Sequence, residues 1–191
     1  MVFFMQFFRK FSPLLVIVGL LAAMAPSSGQ AEGITVRQAK IYGTEEGYFA
    51  DAEFNLELTP ALEEALTRGV PLTFQLSLDV IEPRWYWFNK EIVNLRQERR
   101  LSFNPLTRVY RFSIGSLYLS FNSLQDALQS LSHVNRLQLA APGSVAKEHQ
   151  YEARIQLKLD VSQLPKPFQV DALSSNDWNL ASKPLSWKLS P

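Results

Sequence analysis

The chain lacks cysteine altogether and holds only two histidines among its 191 residues. Without cysteine it has no disulfide, no thiolate metal ligand and no cysteine nucleophile, so its stability must come from packing. His133 and His149 lie apart in the sequence, and neither stands at metal-ligand spacing from another ligand. The sequence therefore predicts neither a metal site nor a cofactor.

Catalytic motifs are missing as well. No glycine-rich phosphate loop and no nucleophile elbow occurs in the chain. Asp51, Glu53 and Glu57 share one face of a predicted strand, which is typical of a solvated face, and a hard-cation site is the alternative. We predict that the protein is not an enzyme and has no catalytic residues. An enzyme with dispersed carboxylates is the alternative, and it would require a cleft that gathers two acids.

The chain carries almost no net charge, with 19 basic and 18 acidic side chains. This balance gives no overall attraction to nucleic acid, and we expect no nucleic-acid partner. The charge is nevertheless unevenly placed. Residues 32–82 carry three basic and ten acidic side chains, whereas residues 84–111 carry seven basic and two acidic ones.

No apolar run is long enough to cross a bilayer comfortably, which takes about 20 residues. The longest run, Leu14 to Ala25, has 12 residues and follows Arg9 and Lys10, as in a secretory signal peptide. We predict that residues 1–31 are a signal peptide cleaved before Glu32, that residues 32–191 form a single domain, and that the protein is periplasmic. The alternative is an uncleaved inner-membrane anchor, because phenylalanines crowd the segment before Arg9. Membrane contact is expected only through this segment.

Strict alternation of apolar and polar residues dominates the remainder, and this period of two predicts half-buried strands of an antiparallel sheet. A shift in the apolar phase predicts a bulge near Gln38 in the first strand. The clearest alternating segments are Tyr48 to Leu58, Leu72 to Val80, Arg108 to Ile114 and Tyr151 to Val161.

Two short helices interrupt the strands. One begins after the N-cap candidate Thr59, with Pro60 at its first helical position, and the other begins after Asn122 or Ser123. The last thirty residues are predicted to be irregular, extended from Leu164 to Pro167, with a short final strand from Leu185 to Leu189. The predicted class is α+β: β-rich, mostly antiparallel, sandwich-like or a curved sheet, with two short helices.

The most distinctive feature of the chain is an aromatic block, Trp85-Tyr86-Trp87-Phe88, followed by a basic run from Arg96 to Arg100. Tryptophan, tyrosine and arginine dominate binding hot spots, so this segment is predicted to form a contact surface for an acidic protein patch, anionic lipid head groups or a cell-wall polymer. The alternative is that some of the aromatic residues lie in the core and that the arginines pair with the acidic strand Asp51 to Glu57. The candidate binding residues are Arg84, Trp85, Trp87, Arg96, Arg99 and Arg100.

Several stretches resemble the uncharacterised bacterial family DUF4390, over nearly the whole of residues 32–191. They are Pro83 to Phe88, Leu101 to Phe103 with Leu106 to Tyr110, Ser162 to Pro167, Asp177 to Leu180, and Leu58 to Leu66 with Gly69 to Leu72. The resemblance implies an exported proteobacterial protein without an assigned activity, and it supplies no catalytic residues. Genes of this family often lie beside a sensor histidine kinase and an rRNA methyltransferase, which implies an envelope partner such as the periplasmic part of that kinase.

These observations predict a non-catalytic interaction or accessory protein of the cell envelope, linked to a sensor histidine kinase. The alternative from another class is a β-rich module that binds a lipid or small ligand.

Overall fold

The computed structural model describes residues 33–84, 86, 88–143 and 149–189, which belong to one compact unit. The predicted signal segment, Trp85 and Trp87 lie outside these residues. Nine strands and three α-helices make up the described part. The strands are β1 (Ile34–Thr44), β2 (Gly47–Leu56), β3 (Leu72–Glu82), β4 (Lys90–Asn104), β5 (Val109–Ile114), β6 (Leu117–Phe121), β7 (His133–Ala140), β8 (Tyr151–Leu159) and β9 (Leu185–Leu189); the helices are α1 (Pro60–Thr67), α2 (Leu124–Ser132) and α3 (Lys166–Ser174).

The strands form two antiparallel sheets. One has three strands in the order β1-β2-β7, and the other has six in the order β6-β5-β4-β3-β8-β9. All strand pairs in both sheets are antiparallel, which confirms the predicted α+β class. The predicted bulge in β1 is present, because the register with β2 shifts between Val36 and Gln38.

Both sheets contribute to one hydrophobic core. Phe54 of β2, Phe74 and Leu76 of β3, and Leu157 of β8 are among its buried residues. Each alternates with polar neighbours, so β2, β3 and β8 bury one face toward the core and turn the other away from it. A Leu to Ala change at such a site typically costs about 2 to 5 kcal/mol, and packing of this kind replaces the disulfides that the chain lacks.

The first two helices begin at their predicted caps. The hydroxyl of Thr59 accepts a hydrogen bond from the Leu62 amide at 3.3 Å, and the hydroxyl of Ser123 accepts one from the Asp126 amide at 3.2 Å. Each bond satisfies one of the amides that the first helical turn leaves without an internal partner. Within the described residues, no helix combines the length and the apolar character needed to cross a bilayer.

The third helix was not predicted. We expected an extended segment around Pro165 and Pro167, but α3 begins at Lys166, with Pro167 in its first turn. Proline is tolerated there because its missing amide hydrogen would have no partner within the helix in any case.

Candidate functional site

Residues Pro83 to Asn89 connect β3 and β4 along the chain and include the aromatic block; we call them the β3–β4 tip and describe them without Trp85 and Trp87. The side chains of Tyr86 and Phe88 are 67% and 87% exposed. Aromatic side chains this exposed bury little of their apolar surface in the protein's own core. Most of that surface is available for contact with a partner.

A carboxylate at the end of β3 anchors the base of the tip. Glu82 is nearly buried, and its oxygens lie 3.3 Å from Arg84 Nε, 4.0 Å from Lys90 Nζ and 3.3 Å from His149 Nδ1. Burial alone would raise the pKa of Glu82, but hydrogen bonds and charge from His149 and Arg84 outweigh it and hold that pKa below its usual value. Glu82 thus stays ionised and ties the tip to the loop before β8.

The same contacts change the character of the tip. Because Glu82 neutralises part of the charge of Arg84 and Lys90, recognition at the tip would rest on aromatic surface more than on positive charge. Of the six predicted binding residues, Arg84, Trp85 and Trp87 fall within the tip, and the two tryptophans lie outside the described residues.

Arg96 and Arg100 lie on β4, away from the tip. Both are exposed on the outer face of the six-stranded sheet, and Arg96 Nη1 contacts Asp79 Oδ1 of β3 at 2.7 Å. At about 3.4 Å per residue, Arg100 lies roughly 34 Å along β4 from Lys90, so the predicted set does not form one surface. The alternative prediction, that the arginines pair with the acidic strand Asp51 to Glu57, does not hold for Arg96, because Asp79 lies on β3. On that strand Asp51 pairs with Lys40, and Glu53 pairs with Arg37, both from β1.

Arg99 is a correction, because its side chain is inside the protein and only 4% of the residue is exposed. Its Nη1 donates to the Leu131 carbonyl at 2.5 Å and its Nη2 to the His133 carbonyl at 2.9 Å, at the C-terminal end of α2. The guanidinium also lies 5.4 Å from the ring of Phe112. Burial lowers the pKa of Arg99 to about 10, so the group remains cationic at neutral pH.

The role of Arg99 is therefore structural. A cation at a helix C-terminus is attracted by the negative end of the helix dipole, and its donors satisfy carbonyls that the helix leaves free. Within the described residues, the buried Nε of Arg99 has no hydrogen-bond partner.

An open cleft of about 780 Å³ lies where the end of β2 meets α1 and α2, and it gathers acids. Glu53, Glu57 and Glu63 line it together with His133. Glu53 is held by Arg37 at 2.8 Å and by the Gln38 amide at 3.1 Å, while His133 Nε2 stands 3.8 Å away. A cleft with two acids, the condition set for a carboxylate enzyme, is thus present. Within the described ranges no three His, Asp or Glu side chains cluster as metal ligands.

The anchor of the tip was missed by sequence reasoning. Glu82 directly precedes Pro83 and could have been suspected as a strand-end residue. His149 carries no such signal, because its contact with Glu82 joins residues far apart in the sequence.

Comparison with known proteins gives one family. Residues 31–188 match the domain described as "Domain of unknown function (DUF4390)", in agreement with the resemblance of the sequence stretches. No curated protein and no solved structure matches the chain.

Proposed function

The chain belongs to the DUF4390 family, and from this premise we propose that it is an exported, non-catalytic interaction protein of the cell envelope. The observation that carries the proposal is the β3–β4 tip, with exposed aromatic side chains on a charge-anchored base. We propose further that the tip binds an envelope protein, and that the periplasmic part of a sensor histidine kinase is the first partner to test.

The physical case rests on how the tip is built. Transferring a phenylalanine side chain from water into an apolar pocket contributes roughly 1.5 to 3 kcal/mol, and Phe88 is 87% exposed before binding. The contacts of Glu82 with Arg84 and Lys90 link the two ends of the connection, which reduces the conformational entropy lost on binding. Exposed aromatic anchor residues are typical of protein-binding hot spots.

Crosslinking in intact cells tests the proposal. Full-length tagged protein is crosslinked, recovered and probed for the sensor kinase and other envelope proteins. The double variant Tyr86→Ser/Phe88→Ser should reduce capture of a specific envelope protein by about tenfold or more, the equivalent of losing roughly 1.4 kcal/mol.

Leu106→Ser supplies the matched control, because Leu106 is 95% exposed in the β4–β5 turn, at the far end of β4 from the tip. Capture should be unchanged in this variant. If the tip variant captures the same partner as strongly as the control, the tip is not the binding surface. If wild-type protein captures no envelope protein above background, the interaction role itself is wrong.

A further inference from the structure

Strand β6 is an edge of the six-stranded sheet and carries no charge. Its sequence is Leu-Tyr-Leu-Ser-Phe, and Leu117, Tyr118 and Leu119 are 61%, 63% and 45% exposed. Edge strands present free backbone donors and acceptors to solvent, and an uncharged apolar edge is a template for pairing with another strand.

The other three edge strands of the described sheets are protected. β9 follows Pro184 and carries the exposed Lys188, and β1 has a bulge with Arg37 and Lys40 exposed beside it. β7 has two register shifts against β2 and a residue in the left-handed region, Arg136 at φ 51°. Charges and bulges are the usual devices against edge pairing. β6 has neither, because its register with β5 is unbroken.

The hairpin fixes which backbone groups of β6 are free. Ile114 and Leu117 flank the two-residue turn Gly115-Ser116 and are paired. Residues that flank a two-residue hairpin turn exchange both backbone hydrogen bonds, and hydrogen-bonded pairs then alternate along the ladder. The backbones of Leu117, Leu119 and Phe121 therefore point to β5, whereas those of Tyr118 and Ser120 point outward.

We propose that β6 pairs in antiparallel fashion with β6 of a second copy of this chain, about a two-fold axis at Leu119. Only residues with outward-pointing backbones can exchange hydrogen bonds across the new pair. The register that pairs all five residues places Tyr118 opposite Ser120 of the second copy, and Leu119 opposite its own equivalent. This register forms four hydrogen bonds, and sliding by two residues in either direction leaves part of the strand unpaired.

The side chains favour a second copy as the occupant. About the proposed axis Leu117 faces Phe121 of the other copy, so apolar residues meet apolar residues on the inner side of the sheet. On the outer side Tyr118 faces serine, and no like charges are opposed. The Arg111 guanidinium of β5 lies 5.2 Å from the ring of Tyr118. Such self-complementarity is what a two-fold interface requires, and it joins two six-stranded sheets edge to edge.

A single cysteine gives a direct test, because the chain contains none of its own. Leu119 and its equivalent would form a non-hydrogen-bonded pair with Cα atoms about 4.5 Å apart, inside the range that a disulfide spans. Full-length Leu119→Cys, oxidised in intact cells, should give a covalent dimer on a non-reducing gel. Tyr118→Cys is the control, because its Cα would lie about 7 to 8 Å from its equivalent. We expect about tenfold more dimer from Leu119→Cys, since only its geometry fits a disulfide.

A second measurement does not depend on disulfide chemistry. A five-residue strand pair is a small interface, so wild-type protein should dimerise in a concentration-dependent way in sedimentation. Leu119→Lys should remain monomeric with an unchanged thermal unfolding curve, because a lysine at an exposed edge blocks pairing without entering the core. Equal crosslinking of the two cysteine variants, or a wild-type protein that stays monomeric at all concentrations, would overturn the proposal.

Discussion

Neighbouring arginines on β4 have opposite environments. Arg99 is buried against the end of α2, whereas Arg100 is exposed on the outer face of the sheet. Successive residues of a strand point to opposite faces of the sheet, which explains the difference. Arg99 points to the same face as the buried Leu101, and Arg100 points to the other face. The basic run therefore divides into one structural residue and an exposed set, and grouping them as a single surface was wrong for Arg99.

Alanine at these two positions should separate the roles. We expect Arg99→Ala to lower the free energy of unfolding by about 2 to 3 kcal/mol, because the carbonyls of Leu131 and His133 lose charged donors inside the protein. Arg100→Ala should stay within about 0.5 kcal/mol, as is usual for exposed sites. Urea unfolding followed by circular dichroism measures both. Equal stability of the two variants would contradict the structural role of Arg99.

Asp51 ties a bulge of β7 to β2. Its Oδ1 accepts from the Arg136 amide at 2.8 Å and from the Tyr42 hydroxyl at 3.2 Å. The hydrogen bond from the Arg136 backbone is the main cause that lowers the pKa of Asp51 below its ordinary value of 3.8. It also holds Arg136 in the left-handed region, which non-glycine residues seldom occupy.

The lowered pKa sets a direction with pH. The folded state binds the Asp51 proton more weakly than the unfolded state does. The contribution of Asp51 to the free energy of unfolding is therefore complete above its pKa in the unfolded state, and it is lost as pH falls through its pKa in the folded state. Asp51→Asn should therefore be roughly 1 kcal/mol less stable than wild type at neutral pH, and the difference should shrink below about pH 4. Urea unfolding across the acid range measures it.

The control is Glu45→Gln, because Glu45 is exposed in the turn between β1 and β2. This change should alter the free energy of unfolding by less than about 0.5 kcal/mol at neutral pH. A difference between Asp51→Asn and wild type that persists undiminished at low pH would show that the effect is not due to ionisation.

At the scale of elements, the sequence was informative wherever a local pattern decides the structure. Alternation located the strands, and the phase shift near Gln38 located the bulge in β1. Thr59 marked one helix start, and the other was narrowed to Asn122 or Ser123, of which the structure shows Ser123 as the cap. The third helix was missed because two closely spaced prolines usually indicate an extended segment. Proline is also compatible with the first turn of a helix, and the sequence alone does not distinguish the two cases. The candidate site was likewise predictable only where local sequence determines it. The tip was recognisable from its aromatic residues, but its anchor depends on contacts between distant residues.

The stretches that resemble the family are largely structural elements. Leu164 and Trp178 are buried, and Pro60 opens α1. The stretch from Pro83 to Phe88 is different, because its described aromatic residues are exposed. Most of the likeness therefore reports the fold, whereas at the β3–β4 tip and at Leu106 in the β4–β5 turn it extends to exposed side chains.

At the scale of the whole molecule, the segment after α3 closes the core. The Leu180 carbonyl accepts from the Leu159 amide at 2.7 Å, and the Ser182 hydroxyl accepts from the Leu157 amide at 3.1 Å, so this segment covers part of β8. Trp178 is buried and packs 5.3 Å from the ring of Phe168. The sequence could not indicate this closure, because each contact joins residues that are distant along the chain.

Replacing the two C-terminal tryptophans one at a time should test that closure. Trp178→Ala should cost about 3 to 5 kcal/mol, because a buried aromatic ring leaves a cavity, whereas Trp187→Ala on the edge strand β9 should cost less, since its ring is only half-buried. Hydrogen exchange locates the effect. In Trp178→Ala, the amides of Leu157 and Leu159 should exchange faster than those at the centre of β4, because the segment that accepts their hydrogen bonds detaches first. Uniform acceleration across both sheets would instead mean that the C-terminal segment and the sheets unfold as a single unit, and that the closure is not a separate step.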